Sequence, residues 1–297
     1  MRISTLMSAD NARTALNQAV ERVIRAEERV ASGRRLNRPS DDPAGLTQAL
    51  SLRSSLEGIA QFRRNAADAK GFLGTTDTAL ANASDLLRQA RTLAVQGAND
   101  TLEPEARQAL ARQVDAIIER IGAIGNTAYG SRYVFGGQRT TEPPFVQVAG
   151  AWTYHGGASA DGESRLTVEI GVGDELAMNV AGEAVFPRAF QALATVRDQL
   201  ASGSKTALSK EGLQAVDAAL RLVGEARADV GSRMQRLLQA DATLEEAQGQ
   251  LATILSGIED ADIPSTVVEL KSAETAYQSA LAATAHGFRQ SLLDFLR

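Results

Sequence analysis

Few side chains in this sequence could do chemistry, and they are scattered. His155 and His286 are its two histidines, far apart in the chain. A histidine acts as a general base or a metal ligand only with a partner group beside it. No His-x-x-x-His, Gly-x-Ser-x-Gly or phosphate-loop pattern supplies one. Gly136-Gly137 and Gly156-Gly157 are lone pairs that read as turns at strand edges. With no cysteine in the chain, disulfides, thiol catalysis and thiolate metal sites are excluded. Two acidic groups remain, Asp41-Asp42 and Glu259-Asp-Ala-Asp262. They lack the alternating ligands and the glycine of a calcium loop. Both fall where helical patterns stop and start, where a carboxylate caps free N–H groups and favours the helix dipole. Capping is the expected role, so the expectation is no enzyme, no cofactor and no metal. Tyr133, Phe135, Phe145, Trp152 and Tyr154 cluster in sequence and read as the core of a small domain rather than a ligand platform.

The elements that would hold these acids are long helices. Gly33 can take the left-handed conformation that ends a helix. Pro39 and Pro43 cannot continue one, and Asp42 followed by Pro43 reads as an N-cap with proline at the first helical position. At the other end Asp260, Asp262 and Pro264 form a matching break. Outside the first break, Leu6, Ala9, Arg13, Leu16, Val20, Val23, Glu27 and Val30 recur at steps of three and four, a heptad seam. Outside the second, Val267, Leu270, Glu274, Tyr277, Leu281, Thr284, Phe288, Leu292 and Phe295 form another.

Inside the breaks lie longer patterns. A second helix runs to about Gly97, with Leu73, Thr76, Leu80, Ala83, Leu87, Ala90 and Ala94 on one face. After a turn at 99–104, in which Thr101 is the expected cap, a third carries Leu110, Val114, Ile117, Ile121 and Ile124. Residues 138–186 are rich in β-formers, with stretches at 145–148, 151–155, 165–170 and 175–180 and a hairpin turn at 172–174. Helix is expected to resume after Pro187 and to break at Gly203. The most regular seam then runs from Leu213 to Ile258 through Val216, Leu220, Val223, Arg227, Val230, Met234, Leu237 and Asp241. At ~1.5 Å per residue it implies a helix roughly 70 Å long.

The expected fold is therefore mainly α: a long antiparallel helical rod or coiled-coil bundle, with a small β-rich domain inserted in the middle. Terminal coiled-coil regions take 1–42 and 260–297, rod helices 43–137 and 187–259, and the β-rich piece 138–186. The terminal seams include small and polar residues, and one helix pair buries too little to offset its chain entropy. The termini are expected to order fully only against other copies of the chain.

The 297 residues carry a net charge of −5 with mixed signs, which makes no case for nucleic acid or an anionic membrane. No run of apolar residues approaches a bilayer span, and the N-terminus does not read as a cleaved secretory signal. The residues alone suggest the cytosol.

Several segments carry a family resemblance. Ala31-Ser-Gly-Arg-Arg-Leu-Asn-Arg-Pro-Ser-Asp-Asp-Pro-Ala-Gly45 resembles the N-terminal region of bacterial flagellins and flagellin-like hook-associated proteins. So do Arg64-Asn-Ala-Ala-Asp-Ala-Lys-Gly-Phe-Leu73, Leu93-Ala-Val-Gln-Gly-Ala-Asn99, Ile258-Glu-Asp-Ala-Asp262 and the terminal Leu292-Leu-Asp-Phe-Leu-Arg297. Tyr129-Gly-Ser-Arg-Tyr-Val-Phe-Gly-Gly137 is similar to the branch that joins hook to filament, where flagellins proper carry an Asn-Thr-x-Phe-Asn-Gly type sequence. The resemblance implies export through the flagellar type III apparatus without a cleaved signal, so the cytosolic expectation gives way to an extracellular one. It implies a ring of self-associating subunits beside a neighbouring hook-associated protein and flagellin, with an export chaperone on the C-terminal helix. Inter-subunit packing would fall on Leu6, Leu16, Val20, Val23, Val30, Val267, Leu270, Tyr277, Leu281, Phe288, Leu292 and Phe295. Gly33, Pro39, Asp42, Pro43, Asp260, Asp262 and Pro264 would form the joints. A flagellin that builds the filament itself is the alternative.

Overall fold

The computed structural model describes the backbone of residues 2–99, 102–157 and 165–295, and the side chains among these except 2–6, 8–9 and 286–295. The elements, in order, are α1 (Arg2–Ser32), α2 (Pro43–Gly97), α3 (Pro104–Gly125), β1 (Ala128–Tyr129), β2 (Arg132–Tyr133), β3 (Phe145–Val148), β4 (Ala151–Tyr154), β5 (Thr167–Gly171), β6 (Asp174–Ala177), α4 (Gly182–Ser202), α5 (Lys205–Ala207), α6 (Leu213–Glu259) and α7 (Ile263–Phe295). A π-helical turn, Leu208–Gly212, leads into α6. The chain divides into two compact units, one of residues 1–58 and 246–297 and one of 59–245.

The unit of residues 59–245 contains the large core. Leu73, Thr76, Leu80, Ala83, Leu87, Ala90 and Ala94 of α2 are all buried, so the period-3.5 reading of this face holds at each position. Val216, Val223, Val230 and Leu237 of α6 are buried at seven-residue steps, and Val114, Ile117 and Ile121 of α3 join the same cluster. α4 packs on α3 and closes the core with Val185, Phe186, Leu193, Val196 and Leu200.

Among the described residues the strands form three separate antiparallel hairpins. Between β3 and β4, Ala149 (φ 51°) and Gly150 (φ 81°) both take positive φ, the two-residue turn whose twist matches paired strands. The hairpin at 172–174 turns on Gly173 (φ 71°), with β5 and β6 shorter than their β-rich stretches. The β1–β2 hairpin is an addition, since two-residue strands leave no periodic trace.

Two local expectations need correction. The clustered aromatics form no core of their own. Phe145 packs edge-on against Phe186 and Phe190 of α4 at 5.1 and 5.7 Å, and Trp152 stacks on Phe190 at 6.1 Å, all within the shared core. Helix resumes at Gly182 rather than after Pro187, because wholly buried Phe186 anchors its first turns against Phe135 at 4.7 Å. The helix does break at Gly203, which caps α4 in the left-handed conformation (φ 72°), and restarts at Lys205, with buried Leu208 filling the core at the π turn. Residue 101 lies outside the described residues; Glu103 takes the N-cap position of α3 with Pro104 at N1.

Candidate assembly site

The unit of residues 1–58 and 246–297 brings the two breaks together. Gly33 takes φ 66° and its N–H donates to the Arg29 carbonyl at 2.9 Å, closing α1 as a left-handed cap. Beyond it the chain is extended and meets the other break. Arg34 and Asp260 form an antiparallel bridge, the Arg35 N–H donates to the Glu259 carbonyl at 2.6 Å, and the Ala261 N–H donates to the Gly33 carbonyl at 2.9 Å.

Side chains reinforce this backbone pairing. The Arg35 guanidinium donates to the Ile258 carbonyl at 2.8 Å, one of the orphan carbonyls at the end of α6. Arg53 of α2 reaches Glu259 at 2.6 Å; the Glu259 side chain is 7% exposed and that of Arg53 40%. A buried carboxylate is costly unless it is paired and hydrogen-bonded, and here Arg53 is the partner. Arg34, Arg35 and Arg53 are the joint residues that sequence reasoning missed, and Glu259, expected to cap a helix, pairs with Arg53 instead. Only the break itself was visible; which of its many charges turned inward was not.

The caps sit around this bridge. Pro39 lies in a turn closed by the Asp41 N–H to the Arg38 carbonyl at 3.0 Å, and Asp41 Oδ2 accepts the Arg38 N–H at 3.0 Å. Asp42 Oδ1 accepts the Gly45 N–H at 2.9 Å, the geometry of an N-cap, with Pro43 as the first helical residue. Leu36 is buried nearby. On the other strand Asp260 accepts a hydrogen bond from Ser256. The Asp262 carbonyl accepts from the Thr266 N–H and hydroxyl at 2.9 and 2.8 Å, and Pro264 stands in the first turn of α7, where its missing N–H costs nothing.

From the bridge, α1 and α7 run back along each other. Arg29 meets Glu269 at 3.0 Å, which with the Arg34–Asp260 bridge sets the pair antiparallel. The contact is made of small groups: Ala19, Ala26 and Thr266 are buried. Leu16, Val20, Val23, Val30, Leu270 and Tyr277 are half-buried. Val267 and Leu281 face outward, 47% and 45% exposed, with Ile24 (44%) and Val268 (69%) also outside. The side chains of Leu6, Phe288, Leu292 and Phe295 lie outside the described residues. The two helices thus form a thin pair with apolar side chains both between them and on their outer faces. Exposed apolar side chains of this kind mark a candidate interaction surface.

His155 is exposed on the loop after β4, and the side chain of His286 lies outside the described residues. Among the described residues no three acidic or histidine side chains gather as metal ligands, and no helix is long and apolar enough to cross a membrane.

Comparison with known proteins agrees with these helices. Residues 3–140 match the bacterial flagellin N-terminal helical region, and residues 213–296 match the bacterial flagellin C-terminal helical region. The chain is 29% identical to flagellin FlaB1 of Treponema pallidum over 301 aligned residues, covering all of both chains. Among solved structures it resembles FlgL of Bacillus cereus with 25% identity and a TM-score of 0.60, covering 69% of this chain and 99% of that one. It shares the fold of flagellar hook-associated protein 3 from Legionella pneumophila with 15% identity and a TM-score of 0.63, covering 70% of this chain and 98% of that one. The chain belongs to the bacterial flagellin family, whose members are structural proteins of the flagellum.

Proposed function

We propose that this member of the flagellin family is a hook–filament junction protein: an adaptor ring of subunits seated between a hook-associated neighbour and the first flagellin subunits. The similarity to the Bacillus cereus FlgL across 99% of that chain is the observation that carries this reading. The segment after α3 supports it. There the β1–β2 hairpin leads into Val134 and Phe135, both wholly buried, in a stretch whose sequence differs from the flagellin pattern.

In this reading α1 and α7 pack with neighbouring copies through Val267, Leu281 and the other seam residues, in a core that only the assembly completes. The paired breaks, with Gly33, Asp42 and Asp260 at their turns, hold the start of α7 to the end of α1 while those helices take up their neighbours. The chain reaches the cell exterior through the flagellar export apparatus, and α7, amphipathic and open along one face, is a groove ligand for an export chaperone. Its work is mechanical and no catalysis is involved.

Full-length alignment with FlaB1 favours a second reading, a flagellin that builds the filament. Seeding the purified protein with filament fragments separates the two. A junction protein adds no long polymer, whereas indefinite growth would establish the filament reading. A strain deleted for this gene should shed intact filaments into the medium if the junction reading is right, and should make no filament if it is wrong.

A further inference from the structure

Arg227 and Asp241 occupy seam positions of α6 that heptad packing would fill with apolar side chains. Each meets an opposite charge on α2. Arg227 Nε lies 2.9 Å from Asp77, and Asp241 lies 2.9 Å from Arg63 Nε. A third pair, Arg91 with Asp217 at 2.8 Å, continues the series. Hydrogen bonding to these carboxylates raises the pKa of Arg63 and of Arg227 above the ordinary guanidinium value. Each of these charges is at least a third exposed, so each pair contributes little to stability.

Their order carries more information than their strength. Arg63, Asp77 and Arg91 follow at fourteen-residue steps along α2 with signs plus, minus, plus. The partners on α6, Asp241, Arg227 and Asp217, read minus, plus, minus. Numbers rise along one helix as they fall along the other, so the helices are antiparallel. A slip of two heptads one way sets Asp77 on Asp241 and Arg91 on Arg227. A slip the other way sets Arg63 on Arg227 and Asp77 on Asp217. Both directions create two like-charge contacts. A slip of one heptad instead sets Asp77 against Met234 or Leu220, apolar seam side chains that cannot pair with it.

The apolar seams do little to prevent such slips. Val216, Val223 and Val230 are identical residues at seven-residue intervals, as Leu73, Leu80 and Leu87 are on α2. We infer that the alternating signs of these three ion pairs are a register code that selects one alignment of α2 on α6 from several that the repeating seams would accept. Charged and polar groups at seam positions are best attested in this registry role.

The test exchanges the middle pair, Asp77→Arg with Arg227→Asp. All three ion pairs survive, but their three members on α2 are then all positive and their three members on α6 all negative, so slipped alignments also gain attraction. The cysteine-free chain allows single spin labels at exposed Lys70 and Gln235, which lie nearly level in the observed register. A fourteen-residue slip would separate the labels by about 20 Å along the axes. After rapid refolding of the full chain, the unexchanged protein should give one label distance. The exchanged protein should give a second, longer one in at least a tenth of molecules. Asp77→Asn with Arg227→Gln, which only removes the penalty, should give the longer distance in a smaller fraction, and decides the matter if the exchanged chain fails to fold. One unchanged distance in the exchanged chain, or in the neutral one if only that folds, overturns the inference.

Discussion

Gly122 of α3 carries the Trp152 ring where its side chain would be: a Cβ there would lie 2.2 Å from the indole. Gly125, one turn on, stands in the same relation to Phe145. The pairing is made rigid by Asn126, whose side-chain amide donates to the Phe145 carbonyl at 2.8 Å and accepts its N–H at 2.9 Å. Gly122→Ala must push the indole off Phe190 and should cost about 1–3 kcal/mol in urea unfolding, with helix content unchanged. Tyr154 offers a pH readout. Burial, and secondarily the Glu183 carboxylate, raises its pKa, and its hydroxyl donates to the Phe135 carbonyl at 3.3 Å. A raised folded value means that its contribution is fully present below the unfolded value of about 10 and is lost as pH rises through the folded one. Stability should therefore fall above about pH 10, and Tyr154→Phe should flatten that fall in alkaline melts. Neither site is legible in sequence, where a glycine in a helix pattern reads only as a weak point.

At the scale of elements, the long helices were visible because a buried face repeats every three and four residues whatever it packs against. The start of α4 and the π turn at 208–212 were not, since each depends on a single side chain, Phe186 or Leu208, finding a place in a core assembled from distant segments. The α1–α7 pair buries mainly alanine, with larger side chains only half covered. Such a pair gains little against the entropy of ordering it. A chain lacking 1–40 and 264–297 should stay folded and monomeric, with nearly the urea transition of the full chain. Amide exchange in α1 and α7 of the full chain should be far faster than in α2 or α6. Aggregation of the shortened chain, or equal protection of the terminal helices, would place them in the monomer's own core.

At the scale of the whole molecule, the flagellin-family helices enclose a middle, residues 141–212, that neither family region covers. Assembly is the property that belongs to this scale. Val267→Asp combined with Leu281→Asp puts charge on the outer face of α7 without touching the bridge between the breaks. The variant should keep the native far-ultraviolet spectrum and melting midpoint within a few degrees. It should fail to incorporate into flagella when it replaces the original gene, seen as loss of swimming. Retained swimming would mean that this face meets no neighbour.

What the sequence by itself determined was the long helices, their breaks and the family, because periodicity, proline, glycine and capping acids act locally. Asp42 and Gly33 work within a few residues of their own positions, so their geometry could be read from neighbours. Tertiary structure alone decided which distant groups meet. It paired Gly33 with Ala261 and Arg53 with Glu259, and it set Phe145 under α4. It also turned the charges at Arg227 and Asp241, which a seam pattern treats as faults, into contacts with Asp77 and Arg63. Those outcomes depend on closing loops between segments distant in sequence, and a linear pattern does not state which of many similar charges and rings will be left together when the apolar faces close.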